Sequence, residues 1–394
     1  MEYAVLGTGG VGRSLVADVL ASHPGVRVSA FDQSQPSLTA LAALGAGNRL
    51  DCRLLDASDV GAVTRAIGRA DVVVNATDGS RSIEILEACI AARKPYIDVH
   101  GTLLVNERLA LDGEAKAAGI TAVIGMGCSP GITNMVAAHG ARHAEGDIDI
   151  EIEYLTQRPL NPSMGLLDTV LRQFRDHVRS YEYVDGRHVL HPPFSGPILT
   201  RFPGVEGEVE LVLTPHSEPQ TLPRYVPGLR RVSVRGAYQK EIMDLVKTLA
   251  RFGLLKADAR VTAGGAEHDF QPMLRAALMG DGTLKPGPVD TVYCLRVRVT
   301  GSLPGRRSVV ETTVGHPKGW DPLPQARMTA VPTAFTARLV ASGKLRRPGV
   351  CGPEVFGDDD VGACLSYLRE RGLWTIVETR EMQATGNVDG AGAA

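Results

Sequence analysis

The sequence predicts an α/β protein: an N-terminal doubly wound parallel sheet, a second α+β domain on a mixed, largely antiparallel sheet, and a C-terminal segment returning to the first domain. Three observations carry this. An apolar run, Met1 to Leu6, passes straight into Gly7-Thr8-Gly9-Gly10-Val11-Gly12 and then into a helix-like stretch, Arg13 to Ser22. Strand-like and helix-like stretches alternate as far as about residue 134, the pattern of parallel strands joined by crossover helices. From Asp147 to Tyr154 acids and apolar residues alternate with period two, as in a strand with one buried and one wet face.

The opening turn reads as the G-x-G-x-x-G fingerprint of a Rossmann dinucleotide-binding domain. Gly7 permits the turn, Gly9 lets backbone approach a pyrophosphate, and Gly12 lets helix and strand pack closely. A diphosphate would then sit on the unpaired N–H groups of the helix, which makes Gly7, Thr8, Gly9, Gly10, Val11 and Gly12 candidate cofactor residues. The next strand, Val26 to Phe31, ends at Asp32, about 20 residues past the last glycine, where a carboxylate accepts hydrogen bonds from both ribose hydroxyls. Such a carboxylate repels the extra phosphate of NADP, and Gln33 rather than an arginine follows it. NAD is therefore the expected cofactor and NADP the less favoured one.

Further strands are expected at Arg53 to Asp56, Asp71 to Ala76, Tyr96 to Asp98 and Thr121 to Gly125, with helices over Ser82 to Ala92 and Glu107 to Ala118. Ligands of open α/β sheets bind beyond the carboxyl ends of strands, which adds Asp56, Asn75, Ala76 and Thr77 to the cofactor set and puts Asp98 and His100 near the chemistry. In the second domain, strands are expected at Glu208 to Thr214, Arg230 to Arg235, Thr291 to Thr300 and Ser308 to Val314. Helices are expected around 166–180 and 239–253. A sheet covered on one side suggests a dimer face, so a homodimer is expected. The run Thr329 to Gly343, stopped by glycine and by Pro348, is read as a helix that closes the cleft. The domains are therefore 1–134 (dinucleotide), 135–325 (substrate and dimerisation), 326–383 (C-terminal segment packing back on the first domain) and a disordered tail over 384–394, which is small, polar and glycine-rich.

Composition narrows the function classes. With 42 basic and 44 acidic residues, no large field points to nucleic acid or an anionic membrane, so a small-molecule partner is expected. No apolar run reaches the length of a membrane span, and the N-terminus is a strand without a basic leader, which suggests neither a span nor a signal peptide. The six cysteines form no C-x-x-C pair and no zinc spacing, and the ten histidines are read as forming no H-x-x-x-H or similar pair on an evident helix. A reducing cytoplasm and no metal are expected.

Four stretches give the chain a resemblance to the saccharopine dehydrogenase family over nearly its whole length. Asn75-Ala76 with Tyr96-Ile97-Asp98 is similar to the family's N-A and Y-x-D segments. Gly127-Cys128-Ser129-Pro130-Gly131-Ile132-Thr133-Asn134 resembles its G-x-x-P-G-[IL]-x-N signature. Pro227 to Arg231, running through Gly236 to Leu254, resembles the segment before its late helix. Met328 to Ala334, with Gly343 and Pro348-Gly349-Val350-x-x-Pro353-Glu354, resembles its C-terminal block. The likeness is to the branch of lysine 6-dehydrogenases and related amino-acid dehydrogenases. Fungal saccharopine reductases carry an acid where this chain has Ser129, and a Cys-Gly-Gly where it reads Leu155 to Pro159. The resemblance implies hydride chemistry at a carbon bearing nitrogen. It also adds Cys128, beside the nicotinamide, with Pro130, Gly131 and Asn134, to the cofactor set.

Oxidising an amine requires a base, a hydride path and water. The catalytic candidates are His100, His216, Asp98 and Tyr238. A substrate carboxylate calls for a guanidinium or ammonium, with candidates Arg158, Arg201, Arg235 and Lys240. Arg172, Arg175 and Arg179 fall on one helical face with Asp168 and are read as a solvated charged face. The expected activity is NAD-dependent oxidation of the C–N bond of an amino acid or opine-like secondary amine. The product is an imine, hydrolysed to an aldehyde plus an amine. The alternatives are reductive condensation of an aldehyde or keto acid with an amine, as in carboxynorspermidine synthase, and an inactive NAD-sensing protein.

Overall fold

The computed structural model describes residues 1–160, 164–279, 290–303 and 306–382. The first domain runs β1 (Glu2–Leu6), α1 (Gly10–Ser22), β2 (Arg27–Asp32), α2 (Gln35–Ala42), β3 (Leu50–Leu54), α3 (Val60–Ala66), β4 (Val72–Asn75), α4 (Ser82–Ala92), β5 (Tyr96–Asp98), α5 (Val105–Ala110), α6 (Asp112–Ala118) and β6 (Thr121–Val123). The middle of the chain continues with α7 (Ile132–Arg142), β7 (Glu145–Gln157), α8 (Met164–Gln173), β8 (Ser180–Val184), β9 (Arg187–His191), β10 (Ile198–Thr200), β11 (Val209–Leu213), α9 (Glu218–Thr221), β12 (Leu229–Tyr238) and α10 (Lys240–Arg251). The last part holds β13 (Arg260–Ala263), β14 (Ala266–Asp269), α11 (Phe270–Met279), β15 (Val292–Leu303), β16 (Arg306–Gly315), α12 (Pro324–Ala341), β17 (Gly349–Cys351), α13 (Asp358–Glu370) and β18 (Trp374–Glu381).

Seven parallel strands form the first sheet in the order β17-β6-β5-β4-β1-β2-β3. The direction of winding reverses between β1 and β4, so the crevice beyond Leu6 and Asn75 is the topological switch point where such sheets hold ligands. Alternate residues of β1 explain why its sequence is a continuous apolar run. Tyr3 and Val5 pack with Leu15, Val16 and Val19 on one face, and Ala4 and Leu6 pack with Ile85 and Leu86 on the other.

The second sheet runs β10-β11-β12-β7-β15-β16-β18 and is antiparallel except for the β12–β7 pair, with the β8–β9 hairpin attached to β12. Ile148, Ile150 and Ile152 of β7 share one continuous core with Met135 and Val136 of α7 and Val331 and Phe335 of α12, so these two helices are packed between the sheets. The face expected to be wet is not wholly so. Glu153 is buried and accepts from Arg296 (3.0 Å) and Arg298 (2.7 Å), beneath Thr200 of β10. An acid–apolar alternation therefore hides a paired charge network at this position.

The C-terminal segment divides between both sheets. α12 packs on α1 and β17 extends the first sheet beside β6, as the return of the chain requires, whereas β18 pairs with β16 in the second sheet. Three helices differ from expectation. The first, α12, expected from Thr329, begins at Pro324. Glu107 to Ala118 is split at Leu111 into α5 and α6, and the helix expected over 166–180 stops at Gln173. The tail over 384–394 lies outside the described residues. The reading that no histidines stand at metal-ligand spacing is corrected: His139 and His143 lie four residues apart, on α7 and at its C-cap, in helical geometry.

Candidate active site

Beyond the switch point lies a cleft of about 890 Å³, walled by Gly7, Gly9, Gly10, Val11, Asp32, Asp56, Ala76 and Thr77 on one side and by Tyr154, Asp168, Arg172, His216, Tyr238 and Tyr293 on the other. Gly7 has φ +89°, and a Cβ there would lie 2.5 Å from the Ala76 carbonyl oxygen. A Cβ at Gly12 would lie 1.9 Å from the Gly7 carbonyl oxygen, so helix and strand touch through this glycine. Gly9 is different, because its missing Cβ would meet nothing within 4 Å. It is the N-cap of α1 and supplies no side-chain cap, which leaves the first-turn N–H groups of α1 uncapped where Gly9, Gly10 and Val11 line the cleft.

Asp32 accepts from the Thr8 amide (2.6 Å) and hydroxyl (2.9 Å) through Oδ2, and from the Ser34 amide (2.8 Å) through Oδ1. A carboxylate offers about four acceptor sites, so capacity remains for a ribose hydroxyl. The residues therefore fit a dinucleotide. Thr8 acts from behind by fixing Asp32, and it does not line the cleft.

Several expected contacts are positional instead. Asn75 is buried, donating to the Tyr96 hydroxyl and accepting from the Thr77 amide and hydroxyl. Asp98 is also corrected. It is fully buried and accepts from the Tyr96 hydroxyl (2.8 Å), Arg108 Nη1 (2.5 Å) and the amides of His100 (3.0 Å) and Gly125 (2.8 Å), a saturated knot that fixes the strand ends and cannot reach a substrate. Arg108, equally buried, spends its other donors on the carbonyls of His100, Leu103 and Leu104.

The signature segment is likewise split. Pro130 lines the cleft and follows a cis Ser129–Pro130 peptide, while Cys128, Gly131 and Asn134 lie behind it. The Cys128 thiol contacts the Thr329 hydroxyl (3.2 Å), and burial pushes it up to about 12, so it stays protonated. Asn134 accepts from the Gly131 amide and donates to Thr221 and to Glu354 Oε1 (2.7 Å), whose carboxyl burial raises. The Thr333 hydroxyl donates to the Met126 carbonyl (2.5 Å), tying the loop to α12.

On the substrate side, His216 stacks on Tyr154 at 4.9 Å, with its Nδ1 3.1 Å from Ser129 Oγ and 3.6 Å from Glu218 Oε2. The hydroxyls of Ser129 (2.7 Å) and Thr133 (2.9 Å) both donate to Glu218 Oε1. Burial alone would raise the Glu218 carboxyl; His216 and the Ser129 hydroxyl outweigh it and hold the group below its usual range. Because the Ser129 hydroxyl donates to Glu218, its oxygen is free to accept from Nδ1 of His216, and the tautomer that uses this bond leaves Nε2 available to a proton. This is the arrangement of an oriented base. The Tyr238 hydroxyl donates to Gln173, which donates to the Tyr154 hydroxyl, and with Tyr293 these form an uncharged floor.

His100 also lines the cleft, yet its Nε2 has no partner, and burial, reinforced by Arg108 and Arg172 against Asp98 and Asp78, lowers it to about 4. It is neutral near pH 7. A histidine whose folded pKa lies below the unfolded value near 6.5 destabilises the fold as pH falls from that value towards the folded one. The expected result is that His100→Asn removes on the order of 3 kcal/mol of the stability lost between pH 6.5 and 4. Urea unfolding at both pH values checks this; parallel wild-type and variant profiles would refute it.

None of the four expected cations lines the cleft. Arg158 is buried behind the wall, with Nε on Gln325 and its other donors on the carbonyls of Pro159, Leu160 and Leu166, because it organises the turn into α8. Arg201 is exposed and faces Glu208; Arg235 is held by Gly196, Ser233 and Glu182; Lys240 is a surface partner of Asp244. Two other arginines line the cleft: Arg81, which is paired with Glu84 (3.0 Å), and Arg172, on the last turn of α8, which makes no ion pair among the described residues. Because α8 ends at Gln173, Arg175 and Arg179 never share its face, and the solvated-face reading of this group is corrected. Sequence reasoning also missed Ser129 and Glu218, although Ser129 stands inside the quoted signature and Glu218 two residues after His216.

Residues 3–123 match the family model described as the saccharopine dehydrogenase NADP binding domain, and residues 127–373 match the saccharopine dehydrogenase C-terminal domain. The carboxynorspermidine synthase of Vibrio alginolyticus is 22% identical over 335 residues, covering 79% of this chain and 79% of its own. That of Vibrio cholerae serotype O1 is 22% identical over 360 residues, covering 84% of this chain and 83% of its own. An apo saccharopine dehydrogenase (L-Glu forming) from Saccharomyces cerevisiae shares the fold, with a TM-score of 0.68 at 15% identity over 97% of this chain and all of its own. With two adjoining matches that together span nearly all of the described residues, the chain belongs to the saccharopine dehydrogenase family.

Proposed function

We propose that this protein is an NAD-dependent oxidoreductase that oxidises the C–N bond of an amino acid or opine-like secondary amine. The substrate is lysine-derived, saccharopine-like or a hydrazine-type conjugate, and the product is an imine that water hydrolyses to an aldehyde plus an amine. The observation that carries this reading is the Ser129–His216 pair on the wall of the same cleft that the glycine turn opens, backed by the buried Glu218. Family membership supports oxidoreductase chemistry on an amine, and Asp32 followed by Gln33 supports NAD, although the family's domain is described as NADP-binding.

When bound, the dinucleotide supplies the hydride acceptor. The chain supplies the rest. His216 Nε2 takes a proton from the substrate ammonium, leaving a neutral nitrogen, and releases it to solvent; it then takes a proton from the hydrolytic water and returns it to the departing amine, and Glu218 steadies the imidazolium each time it forms. Tyr154, Tyr238 and Tyr293 present rings that exclude bulk water, and Arg172 grips the substrate carboxylate with a two-pronged pair of hydrogen bonds. The reverse reaction, condensing an aldehyde with an amine, is the second reading, favoured by the carboxynorspermidine synthases among its relatives. In this reading the enzyme works in the cytoplasm as a homodimer, for which β18, the edge strand that carries the exposed Ile376 and Val377, offers an unpaired edge.

The test is absorbance at 340 nm with lysine, saccharopine and polyamine substrates, run in both directions with both dinucleotides. Turnover of at least one amine is expected, and inactivity throughout would overturn the proposal. On the active substrate, His216→Asn is expected to lower kcat by about 10² to 10⁴. Arg172→Gln is expected to raise KM for a carboxylate-bearing substrate and to spare its decarboxylated analogue. Equal effects on both would remove Arg172 from carboxylate binding.

A further inference from the structure

Outside the lining of the cleft, at the C-terminal end of α7, α7 and α13 meet through three side chains with metal-ligating atoms. His139 Nδ1 lies 2.8 Å from Asp358 Oδ1, and His143 Nε2 lies 3.1 Å from Asp358 Oδ2. The two imidazoles stand edge to face with centroids 5.0 Å apart, and all three ligand atoms fall within 4.8 Å of one another. The C-cap residue His143 has φ −98° and ψ 0°, so the i, i+4 spacing keeps both rings on one side of the helix. All three side chains are partly exposed and open to solvent.

We infer that His139, His143 and Asp358 form a binding site for a borderline divalent transition metal such as Zn²⁺, which would staple α7 to α13. Two neutral imidazoles and one carboxylate match the preference of such ions, whereas oxygen-seeking Ca²⁺ or Mg²⁺ would find one suitable ligand only. Ligand atoms around a tetrahedral Zn²⁺ lie about 3.3 Å apart for bonds near 2.0 Å, so side-chain shifts of well under a turn of helix convert the present contacts into coordination. The ion takes the place of the proton that His139 now shares with Asp358. Arg142 donates to Asp358 Oδ1 through Nε (2.9 Å) and Nη2 (2.6 Å), which fixes the carboxylate and leaves Oδ2 for the metal. Solvent completes the coordination sphere. The site is separate from the cleft and does not depend on the proposed reaction.

The rival account of the same geometry is a helix-to-helix ion pair and nothing more, since Asp358 faces the basic last turn of α7. The two are separated by titrating Zn²⁺ into the full-length, tag-free, chelator-stripped chain in a calorimeter, and by recording the visible spectrum with Co²⁺. One saturable site per chain is expected, with a Co²⁺ absorption band, at least tenfold weaker binding in both His143→Ala and Asp358→Asn, and a melting temperature raised by Zn²⁺ in the wild type only. Absence of saturable binding, or equal binding by wild type and His143→Ala, would establish the ion pair alone and overturn the site. Because the readouts are metal affinity and melting temperature, inactivity in the 340 nm assay would leave this result intact.

Discussion

Replacing Gly9 with valine is expected to weaken dinucleotide binding by at least about 100-fold, roughly 2.7 kcal/mol, while leaving the melting temperature within a few degrees of wild type. The reason is geometric. Gly9 sits at φ −64°, a conformation open to any residue, and the space its side chain would fill is empty of protein atoms to 4 Å. A side chain placed here therefore projects first into the space that a ligand drawn onto the N-terminus of α1 would occupy. Gly12→Val in the same turn is the instructive contrast. Its Cβ would fall 1.9 Å from a backbone oxygen, so helix and strand must part and stability falls along with binding. Calorimetry with NAD, together with thermal unfolding, distinguishes the two; a Gly9→Val protein that binds as wild type would show that no diphosphate lies there.

Arg108→Met is expected to cost about 3–5 kcal/mol of folding stability, the largest single effect outside the cleft. The substitution keeps the length of the side chain but strands the Asp98 charge in a site with no access to water. Burial would by itself raise the Asp98 carboxyl; Arg108 and His100, with the Gly125 amide, outweigh it and keep the group below its usual range. Removing the guanidinium also frees the carbonyls of His100, Leu103 and Leu104, so the loop bordering the cleft loosens. Denaturant unfolding measures the loss, and a change under about 1 kcal/mol would mean that Asp98 is satisfied by its other donors.

Local features that read correctly from the sequence are those set by short-range physics. The glycine turn, Asp32 at the end of β2, and α4 over Ser82 to Ala92 follow from backbone permissiveness and periodicity, and they stand as expected. Strands β8, β9 and β10 escaped notice because they are short and largely polar or exposed, without the alternation that marks β7. The cations failed for a different reason. Arg158 and Arg235 look available beside strand ends, but a guanidinium is a fork of five donors, and whether it meets a substrate or its own loop carbonyls depends on residues far away in sequence. Arg172 suffered the reverse error, since a helix assumed to run on to residue 180 made it one of a series when it is the last cation before the helix ends. The Ser129–His216–Glu218 group is brought together across 87 to 89 residues of chain, which no local spacing reports.

The central claim is that a nicotinamide dinucleotide and an amine meet between the two sheets. The measurement that tests it most directly is a crystal structure of the chain with NAD and an amine substrate or its unreactive analogue. The account predicts the diphosphate on the N-terminus of α1, a ribose on Asp32, and the amine within reach of His216 with its carboxylate at Arg172. A dinucleotide outside this cleft, or an amine bound away from His216, would contradict it.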